Sequence, residues 1–126
     1  MSLRERLRAR QLPTAVVTLS PVVPGADPEQ VRVRAIPADD WEALVALHPP
    51  TEAQRERGDA WDPATFRSAL LAACVLTPEG EEPLTEEEWA DAAASGWMVV
   101  GELNALFNCA YLLNDRTPQV SALGKD

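Results

Sequence analysis

The sequence predicts an α+β protein, mostly helical, with an N-terminal β-hairpin followed by about four α-helices packed as a small bundle. Three observations carry this. Residues 15–19 (AVVTL) and 31–36 (VRVRAI) are the β-like runs, the second alternating apolar with arginine. Downstream, an apolar residue is followed five positions later by an aromatic at three helix starts, the spacing of a hydrophobic staple. Finally, residues 99–114 place Leu103, Leu106, Phe107, Ala110 and Asn114 at steps of three and four, with Val99 and Leu113 on the same arc.

Residues 1–12 read as a short basic helix or arm, with Leu3 and Leu7 one turn apart and Arg4, Arg6, Arg8 and Arg10 around them. It is either a terminus kept soluble by charge or a clip whose arginines pair with the acidic body of its own chain or of a neighbour. The hairpin over 15–36 has a long irregular connection, because Pro21, Pro24, Gly25 and Pro28 fall between the two runs. Two strands alone are marginal in water, so the hairpin must lie on the helices or extend the sheet of another subunit. Arg4, Arg8, Val16, Arg32 and Arg34 are therefore candidate oligomer contacts.

The first longer helix is expected over 38–47, with Trp41, Leu44, Val45 and His48 on one face; Pro49 and Pro50 end it. Its staple would pair Ile36 with Trp41, although Pro37 stands where a capping side chain belongs. Residues 51–60 are polar, contain Gly58, and read as a linker with room for one helical turn. The helix over 63–76 has Asp62 as its cap, Pro63 at its first position and Trp61 placed to cover Phe66. Residues 69–76 are apolar all round, so this helix should be central. An acidic loop leads to a helix over 86–94, where Thr85 and Glu88 form a capping box, Leu84 covers Trp89, and Gly96 ends the element. The last helix, 98–114, carries Asn104, Asn108 and Asp115 on its far side, with Leu112 beside them. Residues 13–115 thus form one globular domain, and 116–126 a flexible tail with little to bury.

A chain of 126 residues is long enough to bury about two thirds of its unfolded surface in one domain. Charge is divided unevenly along it. Residues 39–115 hold sixteen acids against three bases, whereas residues 1–36 hold six bases against three acids. A body this acidic repels phosphate, which argues against a nucleic-acid partner for the folded part, the first ten residues being the one exception. No run approaches the 18–20 apolar residues of a membrane span, and no apolar signal core opens the chain, so a soluble intracellular protein is expected. Cys74 and Cys109 each sit in an apolar helical run and read as buried thiols rather than a disulfide.

Catalytic signals are missing. His48 is the lone histidine and reads as a packing or capping group, and the two cysteines, 35 residues apart, have no companion ligands for a metal. Asp39 with Asp40, and Glu86 with Glu87 and Glu88, suit first-turn positions that favour the helix dipole. No glycine-rich phosphate loop or nucleophile elbow occurs, so the protein is expected not to be an enzyme and to hold no cofactor or metal. A binding surface is expected instead on Asn104, Asn108 and Leu112 with Trp89 and Trp97 nearby, apolar or amide groups on faces the core does not need, although the two tryptophans also read as core residues.

The order of these pieces resembles the tail assembly chaperones of long-tailed phages of actinobacteria. The resemblance rests on RAIPADDWEAL at 34–44, HPPT at 48–51, WDPATF at 61–66 leading to LLAAC at 70–74, LTEEEW at 84–89, GELNALF at 101–107 and LN at 113–114. The family often has a capping serine where Pro37 stands and an aromatic where Leu103 stands, and residues 2–30 add little to the match. The resemblance implies a protein that binds the long helical tape measure protein in the host cytoplasm, keeps it soluble, recruits tail tube subunits and is absent from the mature virion. It also implies many copies per partner, hence a homo-oligomer; related contractile tails and injection systems use similar chaperones, and many phages make a longer frameshifted form. Two other classes fit a small acidic oligomer, a structural tail or head–tail connector subunit and a host adaptor or antitoxin-like module.

Overall fold

A computed structural model describes residues 1–118, 120 and 121 of the chain. Among these, six helices and three strands follow in the order α1 (Leu3–Arg8), β1 (Thr14–Leu19), β2 (Glu29–Arg34), α2 (Ala38–Ala46), α3 (Glu52–Glu56), α4 (Pro63–Cys74), β3 (Val75–Leu76), α5 (Glu86–Ala94) and α6 (Val100–Asn114). Of the tail read from residue 116 on, residues 119 and 122–126 lie outside the described residues.

The sheet is antiparallel with strand order β1-β2-β3, so the strands are not confined to the N-terminal hairpin. Val75 and Leu76, expected as the last residues of the central helix, leave it and pair with Val33 and Arg32. Val75 takes up extended dihedrals at the end of α4 (φ −79°, ψ 125°), a conformation that suits a β-branched side chain. The excursion seals the otherwise open side of β2. Within the hairpin, Thr14 pairs with Arg34 through to Leu19 with Glu29, and alternation sends Ala15, Val17, Val31 and Val33 toward the helices while Val16, Arg32 and Arg34 face out.

The helix starts form as their sequence signals require. Asp62 accepts from the Ala64 N–H (3.0 Å) with Pro63 at the first position, and the Trp61 ring stacks on Phe66 with centroids 4.4 Å apart. Thr85 accepts from the Glu88 N–H while the Glu88 carboxylate accepts from the Thr85 N–H, at 3.1 Å each. A second capping box, Thr51 with Gln54, starts the short α3 inside the stretch expected to be a linker. Pro37 supplies no capping hydrogen bond to α2.

The core gathers Val33, Phe66, Leu70, Leu71, Cys74, Trp89, Leu103 and Leu106, with α4 packed against α2, α5 and α6. At one end Trp41, Trp61, Phe66 and Tyr111 form an aromatic cluster with centroid separations of 4.4–6.2 Å. Asn114 ties three elements together. Its Oδ1 accepts from the Ile36 N–H (2.9 Å), and its Nδ2 donates to the Ala110 carbonyl (2.7 Å) and reaches the Cys74 Sγ (3.5 Å).

Candidate functional site

The two tryptophans expected on the binding surface part company. Trp89 is 2 % exposed and belongs to the core, so it is no part of any surface. It sits four residues past the Thr85 cap, on the face of α5 that packs against α4, and half-buried Leu84 joins the same cluster. Its indole Nε1 is buried with no hydrogen-bond partner, so shape rather than hydrogen bonding holds the ring.

Trp97 stays outside, 51 % exposed. The cause is the way α5 ends. Gly96 takes φ +77° and the Trp97 N–H donates back to the Ala92 carbonyl (3.2 Å), the six-to-one bond of a Schellman turn, which turns the chain off the core before the ring is placed. The indole borders a groove shared with Val22, Val23, Asp27, Glu29 and Glu102, at the end of the hairpin. Val22 is 90 % exposed, and Val23, Val99 and Val100 are also open to solvent. The loop between the strands, unremarkable in sequence except for its prolines, therefore supplies half of an apolar patch.

From this patch α6 runs away with an exposed stripe. Gly101, Asn104, Ala105, Asn108 and Leu112 are all exposed, and at about 100° per residue they share one face roughly 100° wide. Leu112 is 65 % exposed at the far end. The near end adjoins a second groove lined by Val22, Val99, Gly101 and Ala105. Trp97, Asn104, Asn108 and Leu112 thus lie along one continuous side of the molecule, with Val22, Val23, Val99 and Val100 added to them. Exposed valines carry no motif; the adjacent Val22-Val23 pair inside a proline-rich connection is the signal the sequence offers for this half of the patch.

The candidate oligomer contacts lie on the sheet and the arm, and the end of β1 (Val17, Thr18, Leu19) borders the same groove as Val22, Gly101 and Ala105. Val16 stands on the free edge strand, and Arg32 and Arg34 are exposed on the sheet's outer face, where the Arg34 guanidinium reaches the Ala73 carbonyl at 3.4 Å. Arg4 and Arg8 project from α1, which buries no residue. Among the described residues the carboxylate pairs are Arg57 with Asp59 (3.0 Å) and His48 approaching Glu86 (3.6 Å), so the arm's arginines do not clip onto the chain's own acids.

His48 is a positioning group for α4. Its Nδ1 lies 2.8 Å from the Thr65 hydroxyl, its carbonyl accepts from the Asp62 N–H (2.9 Å), and its ring meets Phe66 edge-on. Among the described residues no three of His, Cys, Asp and Glu converge on a point that would hold a metal ion. Both cysteines are free thiols. Burial pushes the Cys74 thiol above its ordinary value, against smaller opposing effects of the Asn114 hydrogen bond and the Arg34 charge, and burial also raises half-buried Cys109. A raised thiol is a poor nucleophile at neutral pH. No helix among the described residues is long and apolar enough to cross a membrane. No family model, curated protein or solved structure matches this chain.

Proposed function

We propose that this protein is a tail assembly chaperone that binds and solubilises a phage tape measure protein and helps recruit tail tube subunits. The observation that carries the reading is the unpartnered apolar side of an otherwise acidic molecule: Trp97, Val22, Val99 and Leu112 line up beside the amides of Asn104 and Asn108. A tape measure protein is long and helical, and its apolar stripe would aggregate if left bare. An amphipathic helix laid along this side meets valines and an indole with its apolar face and two asparagines at its margin. The net charge of −9 keeps the resulting complex in solution. In this reading α6 and the connecting loop of the hairpin bind the tape measure protein and the β1 edge joins copies. The protein acts in the host cytoplasm, performs no catalysis, binds no nucleic acid and leaves before the virion is complete.

The test is size-exclusion chromatography with light scattering on the chain alone and co-expressed with the tape measure protein of its own genome. A soluble complex with many copies per partner, where that partner alone is insoluble, supports the reading. Asn104→Asp with Asn108→Asp places charge on the stripe and should weaken the complex at least tenfold with the fold intact. Unchanged binding removes the α6 stripe from the site.

The free β1 edge favours one second reading, a structural tail or head–tail connector subunit. Such a subunit stays in the particle, so its detection in purified virions would replace the chaperone reading.

A further inference from the structure

Among the described residues the outer edge of β1 has no strand beside it and α1 of the basic arm buries nothing, although residues 10–12 border Ile36, Trp41 and Asn114 of their own chain; edge and arm together specify a partner. We propose that two copies of this chain pair β1 against β1 about a two-fold axis, Val16 facing Val16 of the second copy. The basic arm of each copy then lies on the acidic, apolar hairpin end of the other. The inference deepens the self-association part of the proposed function, on which it rests; the arm and a tape measure helix would then compete for Val22 and Trp97.

Hydrogen-bond parity fixes which groups are free. The Ala35 N–H donates to the Pro13 carbonyl (2.9 Å), so residues 13, 15, 17 and 19 exchange the ladder bonds with β2 and Thr14, Val16 and Thr18 turn their N–H and C=O groups to the open edge. The strand has none of the usual protections against pairing: no lysine, no internal proline, no bulge. Side-chain parity then selects the register. Opposed residues share a face, so a second β1 keeps its inward set on the helix side only when even-numbered residues oppose even-numbered ones. With Val16 opposite itself, Thr14 opposes Thr18 on both sides and about six hydrogen bonds form. Registers centred one residue either way make about four within the strand. The chosen register also buries the 55 % exposed Val16 side chain against its symmetry mate, flanked by the aliphatic stems of Arg32.

Charge and apolar matching argue that the occupant is a second copy. In an antiparallel pair, the chain before Thr14 of one copy runs past Thr18 of the other toward its hairpin end. Before Thr14 come exposed Leu3, Leu7 and Leu12 with four arginines that form no ion pair with a carboxylate among the described residues. The hairpin end offers Val22 and Trp97 among Asp27, Glu29 and Glu102. A six-residue helix that buries nothing is far too short to persist alone in water, and this arrangement gives it a surface to fold on.

The isolated full-length chain tests this without any tape measure protein. Light scattering at about 100 μM should give a dimer, and Val16→Pro, which removes an outward N–H and no bond of the β1–β2 ladder, should give a monomer with the same circular dichroism. In a Cys109→Ser background, Val16→Cys should oxidise to a linked dimer, because hydrogen-bonded antiparallel pairs hold Cα atoms about 5.5 Å apart. Thr14→Cys should not, its symmetry mate being roughly 13 Å away along the strand. Removing residues 1–12 should weaken dimerisation at least tenfold. A wild-type monomer overturns the proposal, as does Thr14→Cys linking as readily as Val16→Cys. A dimer unaffected by loss of the arm overturns the arm's part in it. A monomer that still keeps its tape measure protein soluble would sink this inference and leave the chaperone reading standing.

Discussion

Replacing Asn114 by alanine should be among the most damaging changes to a polar residue in the chain, although asparagine near a helix end is ordinarily replaceable. The Ile36 side chain is buried and its N–H is satisfied by Asn114 Oδ1 at 2.9 Å, so truncation orphans a donor where β2 turns into α2. An orphaned, poorly solvated donor costs about 1–3 kcal/mol. The lost contacts of Nδ2 with the Ala110 carbonyl and Cys74 Sγ add about 1 kcal/mol. The sum, about 2–4 kcal/mol, is a large part of the 5–15 kcal/mol that typically holds a domain together. In urea titrations followed by circular dichroism, the midpoint should fall by roughly 1–2 M, since slopes for small proteins run about 1–3 kcal/mol/M. Asn104→Ala is the control: the same residue type on the same helix, exposed and without a side-chain hydrogen bond, should lie within about 0.5 kcal/mol of the parent. If the two variants unfold at the same urea concentration, the bridge through Asn114 contributes nothing and the argument fails.

Two further perturbations separate core from surface. Leu70→Ala, at a fully buried position on α4, should cost about 2–5 kcal/mol, whereas Leu112→Ala on the exposed side of α6 should change stability by less than about 0.5 kcal/mol; comparable urea midpoints would contradict the burial of α4. Thiol chemistry should be graded: a disulfide reagent titrated at pH 8 should label Cys109 first and Cys74 only as fast as the protein opens, and equal rates would contradict their placement. Both thiols are raised in the folded state, so the folded protein keeps protons that the unfolded chain releases. Their contribution is intact below the ordinary thiol value and falls as pH rises through about 9; Cys74→Ala should flatten the alkaline decline in urea midpoint.

Structural decisions that rest on residues close in sequence were mostly legible, the exception being the Thr51–Gln54 capping box that starts α3 in a stretch read as a linker. Asp62 before Pro63, Trp61 against Phe66, and Thr85 with Glu88 act over five positions or fewer, and each forms as its spacing requires. The end of α4 shows the limit. Val75 and Leu76 continue an apolar run that a helix would accept, and what draws them into a strand is Arg32 and Val33, some forty residues upstream. No window of ordinary length contains both. Asn114 is a similar case, since periodicity puts it on the inward arc of α6 but cannot say that the Ile36 N–H waits there.

The surface was harder to read than the core, and the two tryptophans show why. Trp89 and Trp97 have the same chemistry and stand eight residues apart around one short helix. Trp89 follows a capping box with Leu84 as its staple, a pairing that commits the ring inward and makes the core the better of its two readings. Trp97 comes directly after the glycine that reverses the chain, where the backbone leaves the core regardless of the side chain it carries. Position relative to the cap therefore ranks above hydrophobicity in deciding which aromatic is free to bind. The same reasoning applies to the arm: Leu3 and Leu7 have helical spacing, yet a helix of six residues is too short to bury them by itself, and under the proposed pairing the second copy supplies the surface they lack.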